Sequence, residues 1–141
     1  MRLSRVIALT ATLLFLPLIN LPNLAAPREL TSLNANAQGK GTLIAGKETF
    51  KIYSVVVKFK EDGTGEIIVV SDLTVFLNCS WSANADPSKG IDVKLQSGNN
   101  VGPSGSGKLF LKPDAKSIAS LTLAGTSNTL KRKLQLNFVA D

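Results

Sequence analysis

The side chains that most often carry out chemistry are scarce in this sequence. Its 141 residues include no histidine and one cysteine, Cys79. Zinc sites built from His and Cys, and Ser–His or Cys–His nucleophile pairs, are therefore excluded. The carboxylates of Glu61, Asp62 and Asp86 lie in segments of turn composition, and no pattern brings two of them into one apolar cleft, as acid–base catalysis needs. We therefore expect a protein without catalytic residues, metal or cofactor, and keep an extracytoplasmic enzyme as the last alternative.

The glycine-rich run at residues 102–108 (GPSGSGK) matches most of a phosphate-binding motif. It fits the first seven positions of G-x-x-x-x-G-K-[ST], in which backbone N–H groups cradle phosphates at a helix N-terminus. Leu109 stands where the motif needs a Ser or Thr for magnesium, and the residues that follow have strand composition. We therefore predict a glycine-rich hairpin loop over residues 97–107 instead of a nucleotide site. Its candidate mobile binding residues are Gly102, Gly105, Gly107 and Lys108.

An apolar face that contains Trp81 and Cys79 is the second candidate site. In residues 73–82 every second side chain is apolar, and this alternation ends at Cys79 and Trp81. One interpretation is the aromatic wall of a ligand pocket. The other is a core tryptophan near a barrel end beside a buried cysteine. As the lone cysteine, Cys79 cannot form an intramolecular disulfide.

Lysines recur at positions that are predicted to point outward. The net charge is +6. A basic stripe could bind anionic polysaccharide, lipid head groups or nucleic acid, whereas scattered lysines form a solvated face that protects sheet edges. Only Tyr53 and Phe110 could provide stacking platforms between the lysines, which argues against nucleic acid and favours the solvated face. The lysines are Lys58, Lys60, Lys94, Lys108, Lys112, Lys131 and Lys133.

The N-terminal residues have the pattern of a secretory signal. Arg2 and Arg5 precede an uncharged apolar stretch over residues 6–19. Residues 35–37 (ANA) have the small-x-small form that signal peptidase cleaves, so we predict a signal peptide at 1–37, cleavage after Ala37 and one β domain at 38–141. Cleavage after Ala26, with bulky Leu24 three places before the cut, is the alternative, and an uncleaved anchor is a third. Either cut leaves a secreted or periplasmic domain with no stable membrane span.

From residue 39 onward the hydrophobic pattern has a period of two and is interrupted by turn residues. It predicts eight strands, at 42–45, 50–60, 66–71, 73–82, 91–96, 108–112, 118–123 and 130–139. Within 50–60 the apolar residues change phase, which predicts a bulge or bend near Ser54. Short links require antiparallel neighbours. We therefore predict an all-β meander that forms a closed or flattened up-and-down barrel, with a two-sheet sandwich as the alternative.

These patterns predict a non-catalytic secreted β-barrel that binds a small apolar ligand or a protein partner. A ligand carrier needs a cavity at the barrel mouth beside Trp81, although a barrel of this size is expected to fill its own interior. A protein-binding module needs an exposed apolar patch or a mobile loop. The alternative is a structural or surface-associated oligomer, in which residues 50–60 and 130–139 pair between chains if the barrel does not close.

Overall fold

The fold is a closed barrel of eight antiparallel strands. A computed structural model describes residues 30–96, 103–127 and 132–141. Each strand pairs with the next along the chain, and β8 returns to pair with β1. The prediction of a closed up-and-down barrel is therefore confirmed, and the sandwich is not formed. The strands are β1 (Leu33–Ala45), β2 (Glu48–Phe59), β3 (Thr64–Val70), β4 (Thr74–Ala83), β5 (Ile91–Leu95), β6 (Pro103–Leu111), β7 (Ile118–Ser127) and β8 (Arg132–Ala140).

Apolar side chains from all eight strands fill the barrel interior. Successive residues of a strand point to opposite faces, so the alternation in the sequence places one apolar set inside. Phe138, Leu121 and Ile67 illustrate the result, since each is at most 1% exposed. Burying each such side chain stabilises the fold by about 1.5–3 kcal/mol. The buried set is Leu33, Leu43, Ile52, Val55, Val57, Phe59, Ile67, Val69, Leu77, Cys79, Ile91, Val93, Leu95, Leu109, Ile118, Leu121, Leu123, Leu136 and Phe138.

The predicted bulge near Ser54 is present between β1 and β2. Ser54 pairs with Gln38, and the next registered pair is Ile52 with Gly41, so the register shifts there. Ile52 and Val55 are both fully buried, although a regular strand would direct them to opposite faces. The bulge thus lets both halves of β2 direct their apolar side chains inward.

The first strand is longer than predicted. It begins at Leu33 instead of residue 42, and its N-terminal half pairs with the C-terminal half of β2. Leu33 is 6% exposed, and Ala35 and Ala37 are partly buried against the core. Because these inward residues are mostly alanine, and Gly39 and Gly41 continue the same strand, the period-two signal was too weak to reveal it. The domain therefore includes residues that a start at Gln38 would leave out.

The loop predicted over residues 97–107 is wrong for its last five residues, which belong to β6. Gly105 and Gly107 pair with Leu95 and Val93 of β5 on one side, and with β7 on the other. The glycines look like loop residues in the sequence, but here they allow neighbouring backbones to approach closely. A methyl group on Gly107 would overlap the Thr122 carbonyl oxygen and place Cβ 2.8 Å from the Leu123 Cα.

Two smaller predictions also change. The alternation of the sequence in residues 118–123 predicts that Ala119, Leu121 and Leu123 are the buried set. A register irregularity between Phe110 and Leu111 instead directs Ile118 inward, and Ile118 is fully buried while Ala119 is only partly buried. The strands predicted at 50–60 and 130–139 were expected to pair between chains only in a barrel that does not close, and here β2 and β8 each have neighbours on both sides. Closure of the barrel occupies those edges.

Candidate functional site

Trp81 is a fixed side chain at one end of the barrel. Its ring stacks on Phe59, with centroids 5.2 Å apart and an interplanar angle of 13°. Its Nε1–H donates to the Lys60 carbonyl oxygen at 2.9 Å, and its backbone N–H donates to the Gly63 carbonyl oxygen at 2.9 Å. Gly65 makes room for this arrangement, since a Cβ there would lie 2.5 Å from the Phe59 Cδ1. The indole therefore packs over the interior beside the β2–β3 turn.

Cys79 lies two residues before Trp81 on the same side of β4, and it is 1% exposed. Burial, together with the nearby Glu66 carboxylate, raises the pKa of the Cys79 thiol to about 11. The thiol is thus protonated at neutral pH and makes a poor nucleophile. Cys79 and Trp81 line different surface depressions, so the structure does not bring the two candidate pocket residues together in one of them.

The depression that includes Trp81 is an open groove of ≈ 800 Å³ across β4, β5 and β6. Most of its lining side chains are small or charged and point outward. Lys108, named above as a binding-loop residue, is held by Asp92 in an ion pair at 2.7 Å and by the Lys89 carbonyl oxygen at 3.1 Å. The hydrogen bond from Lys108 is the main cause of a lowered Asp92 pKa. Gly102 lies outside the described residues.

The turn carboxylates act as hydrogen-bond acceptors for their own turns. Asp62 accepts from the backbone N–H and hydroxyl of Thr64, at 2.9 and 2.6 Å, and these bonds lower its pKa. Asp86 accepts similarly from Ser88, which lowers its pKa. Asp114 accepts from the Ser117 hydroxyl and two backbone N–H groups, and its pKa falls to about 2. Carboxyls with lowered pKa values stabilise turns and are poor proton donors near neutral pH.

Neither a metal cluster nor a membrane-spanning helix is found in residues 30–96, 103–127 and 132–141. No three His, Cys, Asp or Glu side chains in these ranges lie close enough to hold a metal ion. No helix there is long and apolar enough to cross a membrane.

The lysines of these ranges lie on several different strands, and two of them have an acidic neighbour. Lys58 is paired in register with Glu66, and Lys108 forms an ion pair with Asp92. Lys131 lies outside the described residues.

The outer surface of β2, β3 and β4 carries an apolar face that sequence reasoning missed. Val56 pairs with Ile68, which pairs with Phe76, so the three outward side chains form one row across the sheet. Phe76 is 62% exposed, and Leu73, in the β3–β4 turn three residues earlier, is 58% exposed. Val70, two positions after Ile68 on β3, adds a partly exposed apolar side chain in the neighbouring row, between Ser54 and Thr74. We call Val56, Ile68, Val70, Leu73 and Phe76 the outer apolar face.

The exposure of Leu73 is fixed by its turn. The Ser71 hydroxyl donates to the Leu73 carbonyl oxygen at 2.6 Å and accepts from the Leu73 N–H at 3.2 Å, while the Ser71 N–H donates to the same carbonyl at 3.0 Å. At the rim, the Tyr53 hydroxyl donates to Asp72 at 3.1 Å. This bond raises the pKa of Tyr53. The apolar side chains are therefore presented on an ordered scaffold.

The sequence did contain a signal for the outer apolar face. Residues 67–70 (IIVV) are apolar at every position, and Phe76 is out of phase with its inward neighbours Val75 and Leu77. A half-buried strand of an antiparallel sheet normally alternates apolar and polar residues. Apolar residues in both phases therefore indicate that both faces of β3 and β4 are hydrophobic.

We compared the chain with protein-family models, with curated protein sequences and with solved structures, and none of the three comparisons found a match. The functional candidates are therefore the surfaces that the geometry itself presents. These are the outer apolar face and the open groove on β4–β6.

Proposed function

We propose that this protein is an exported, non-catalytic module that binds a protein partner through the outer apolar face. The single observation that carries the proposal is the row of Val56, Ile68 and Phe76 on the outer surface of the sheet, in which Val56 and Ile68 are partly exposed and Phe76 is 62% exposed. Large contiguous apolar patches on the surface of a soluble protein, especially those with a polar rim, mark protein–protein interaction sites. Phe76, as an aromatic side chain at the end of the row, would act as the anchor of such an interface.

A protein partner suits this face better than a small ligand or an anionic membrane. The interior is filled by buried side chains, and the Trp81 indole is held by its stack and its hydrogen bonds. The charges near the face are mixed, with Lys51 and Lys58 offset by Glu66 and Asp72. An anionic lipid surface would favour an excess of lysines. The expected partner thus has its own apolar patch with a polar rim.

Export is part of the proposal, and it rests on the N-terminal sequence pattern. The position of β1 supports the cut after Ala26 over the cut after Ala37. Cleavage after Ala37 would remove Leu33, which is 6% exposed, along with the residues that pair with the C-terminal half of β2. Losing one buried leucine side chain alone costs about 2–5 kcal/mol. Retaining residues 27–37 leaves β1 whole.

Site-specific photo-crosslinking tests the binding face. The full-length gene would be expressed in its own host so that a benzophenone amino acid is incorporated in place of Phe76. The matched control would place the same group at Gln135, an exposed residue on β8. We expect position 76 to yield a discrete protein conjugate that position 135 does not, and a Phe76→Asn variant to lose the same partner in affinity capture. Equal conjugates at both positions, or conjugates to lipid only at position 76, would contradict the proposal.

A further inference from the structure

The N-terminal half of β1 is paired on one side only. Residues 33–38 pair with β2 from Phe59 to Ser54. The ladder between β1 and β8 begins only at Gly39, opposite Ala140. Past that point the Asp141 N–H donates to the Gln38 carbonyl oxygen at 3.0 Å. No described residue pairs with the other side of residues 33–37.

The direction of the backbone groups follows from two independent hydrogen bonds. Because the Gln38 carbonyl points toward β8, the N–H and C=O groups of Asn36 and Asn34 point the same way, away from β2. On β2, the Lys60 N–H donates to the Thr64 carbonyl oxygen at 2.8 Å. Backbone N–H and C=O groups alternate in direction from one residue of a strand to the next. Since those of Lys60 point toward β3, those of Val57 point toward β1, as the pairing of Val57 with Ala35 requires. Asn34 and Asn36 therefore direct their N–H and C=O groups to an edge with no partner among the described residues.

This edge also lacks the features by which proteins usually prevent strand pairing. Residues 33–38 (LNANAQ) contain no charge and no proline, and the register shift lies beyond them. The side chains of Asn34 and Asn36 are exposed, whereas Ala35 and Ala37 face inward. Unpaired main-chain groups of this kind are complementary to another extended main chain.

We propose that a second copy of this chain pairs with this edge, in an antiparallel arrangement whose two-fold axis passes near Ala35. In that register Asn34 lies opposite Asn36 of the second copy, and every free N–H and C=O group of the two residues gains a partner. An axis at Asn36 would instead place Asn34 opposite Gln38, whose carbonyl already accepts from Asp141. With the axis near Ala35, the free main-chain groups of Asn34 and Asn36 are therefore complementary to those of Asn36 and Asn34 in the second copy.

Charge also permits this pairing. Lys58 is the β2 neighbour of Asn34, and Val56 is the neighbour of Asn36. At the interface between the two copies, Asn34 of one copy lies opposite Asn36 of the other. Lys58 of the first copy and Val56 of the second copy therefore lie at the two ends of the same row of side chains. Like charges are not placed opposite each other, so repulsion does not oppose the dimer. This inference does not depend on the proposed function, because it uses a strand edge and not the outer apolar face.

The experiment combines sedimentation with residue-resolved hydrogen exchange on the protein that the host exports from the full-length gene. We expect a monomer–dimer equilibrium, and we expect the Asn34 and Asn36 amides to exchange about tenfold more slowly as protein concentration rises. The Ala35 and Ala37 amides, which bond to β2, serve as internal controls and are expected to be protected at every concentration. Asn36→Pro removes an N–H that faces the edge and not β2, and should abolish the dimer.

A second variant keeps the test decisive if Asn36→Pro does not fold. Asn36→Lys should weaken dimerisation, while Gln135→Lys, which adds the same charge to the exposed face of doubly paired β8, should not. A monomer at all concentrations would overturn the proposal, as would Asn34 and Asn36 amides that are protected equally at every dilution. An exported chain that begins at Gln38 would overturn it as well. Phe76→Asn should leave the dimer intact, which separates this result from failure of the proposed function.

Discussion

Gly107→Ala tests the tight packing of β6 against β7, where the sequence predicted a loop. A Cβ at this position would overlap the Thr122 carbonyl oxygen and lie 2.7 Å from the Leu123 Cδ2. Carbon atoms in favourable contact are separated by about 3.5–4.0 Å. Overpacking usually costs about 1–3 kcal/mol, and here the obstructing atoms include the backbone of the next strand. We therefore expect the free energy of unfolding to fall by about 3 kcal/mol, the upper end of that range.

Gly63→Ala provides the matched control. Gly63 has a φ of 88°, and a Cβ there would meet nothing within 4 Å. Gly63→Ala should therefore lower the free energy of unfolding only through backbone strain, by about 1–2 kcal/mol. Urea unfolding followed by the fluorescence of Trp81, the only tryptophan, measures both variants. The reasoning would be refuted if Gly107→Ala proved less destabilising than Gly63→Ala, as expected of a loop residue.

Three further predictions address the N-terminal strand, a turn and the cysteine. Leu33→Ala should lower the free energy of unfolding by about 2–3 kcal/mol in urea titrations, because Leu33 is buried, whereas Asn34→Ala should cost less than about 0.5 kcal/mol. Asp114 has its pKa lowered to about 2 from 3.8, so its stabilising hydrogen bonds are fully present above pH 3.8 and are lost as the pH falls through about 2. The Tm difference between wild type and Asp114→Asn should accordingly shrink over that range, and a difference that is constant with pH would contradict this role. The Cys79 thiol has a pKa of about 11 and is 1% exposed, so it should resist alkylation at about pH 8 until urea unfolds the chain. Mass spectrometry of the intact protein after treatment with an alkylating reagent measures this.

The eight strands could be predicted because their alternating residues are strongly apolar and are separated by turn residues. Ile91, Val93 and Leu95 illustrate this, since each is buried and each alternates with a polar residue. The phase change between Ile52 and Val55 likewise predicted the bulge, because two halves of one strand can both face a core only if the register shifts.

The remaining features were hidden by weakly apolar residues or by apolar residues on both faces. Ala35 and Ala37 face inward in β1 but carry little hydrophobic signal, and the same residues also fit a signal-peptidase site. Gly105 and Gly107 resemble a loop because glycine is common in turns, although in this barrel they permit close strand contact. The row that Phe76 forms with Ile68 and Val56 depends on the registers of β4 with β3 and of β3 with β2, which a single sequence does not reveal.

The two surfaces proposed for association would bind their partners through different kinds of group. The outer apolar face offers side chains, chiefly Phe76 and Leu73, to a protein partner. The β1 edge offers the main-chain groups of Asn34 and Asn36 to a second copy. A protein that uses both would present two copies of its binding face, which increases its apparent affinity for a multivalent partner.

Native mass spectrometry of the protein, purified from its own host without denaturation, tests the central proposal that this barrel works through its outer surface. We predict a chain whose mass corresponds to a start at Pro27, observed as monomer and dimer, with no small molecule retained. A stoichiometric small-molecule mass that is released on denaturation, together with a shift in Trp81 fluorescence, would contradict the claim and identify a ligand carrier instead.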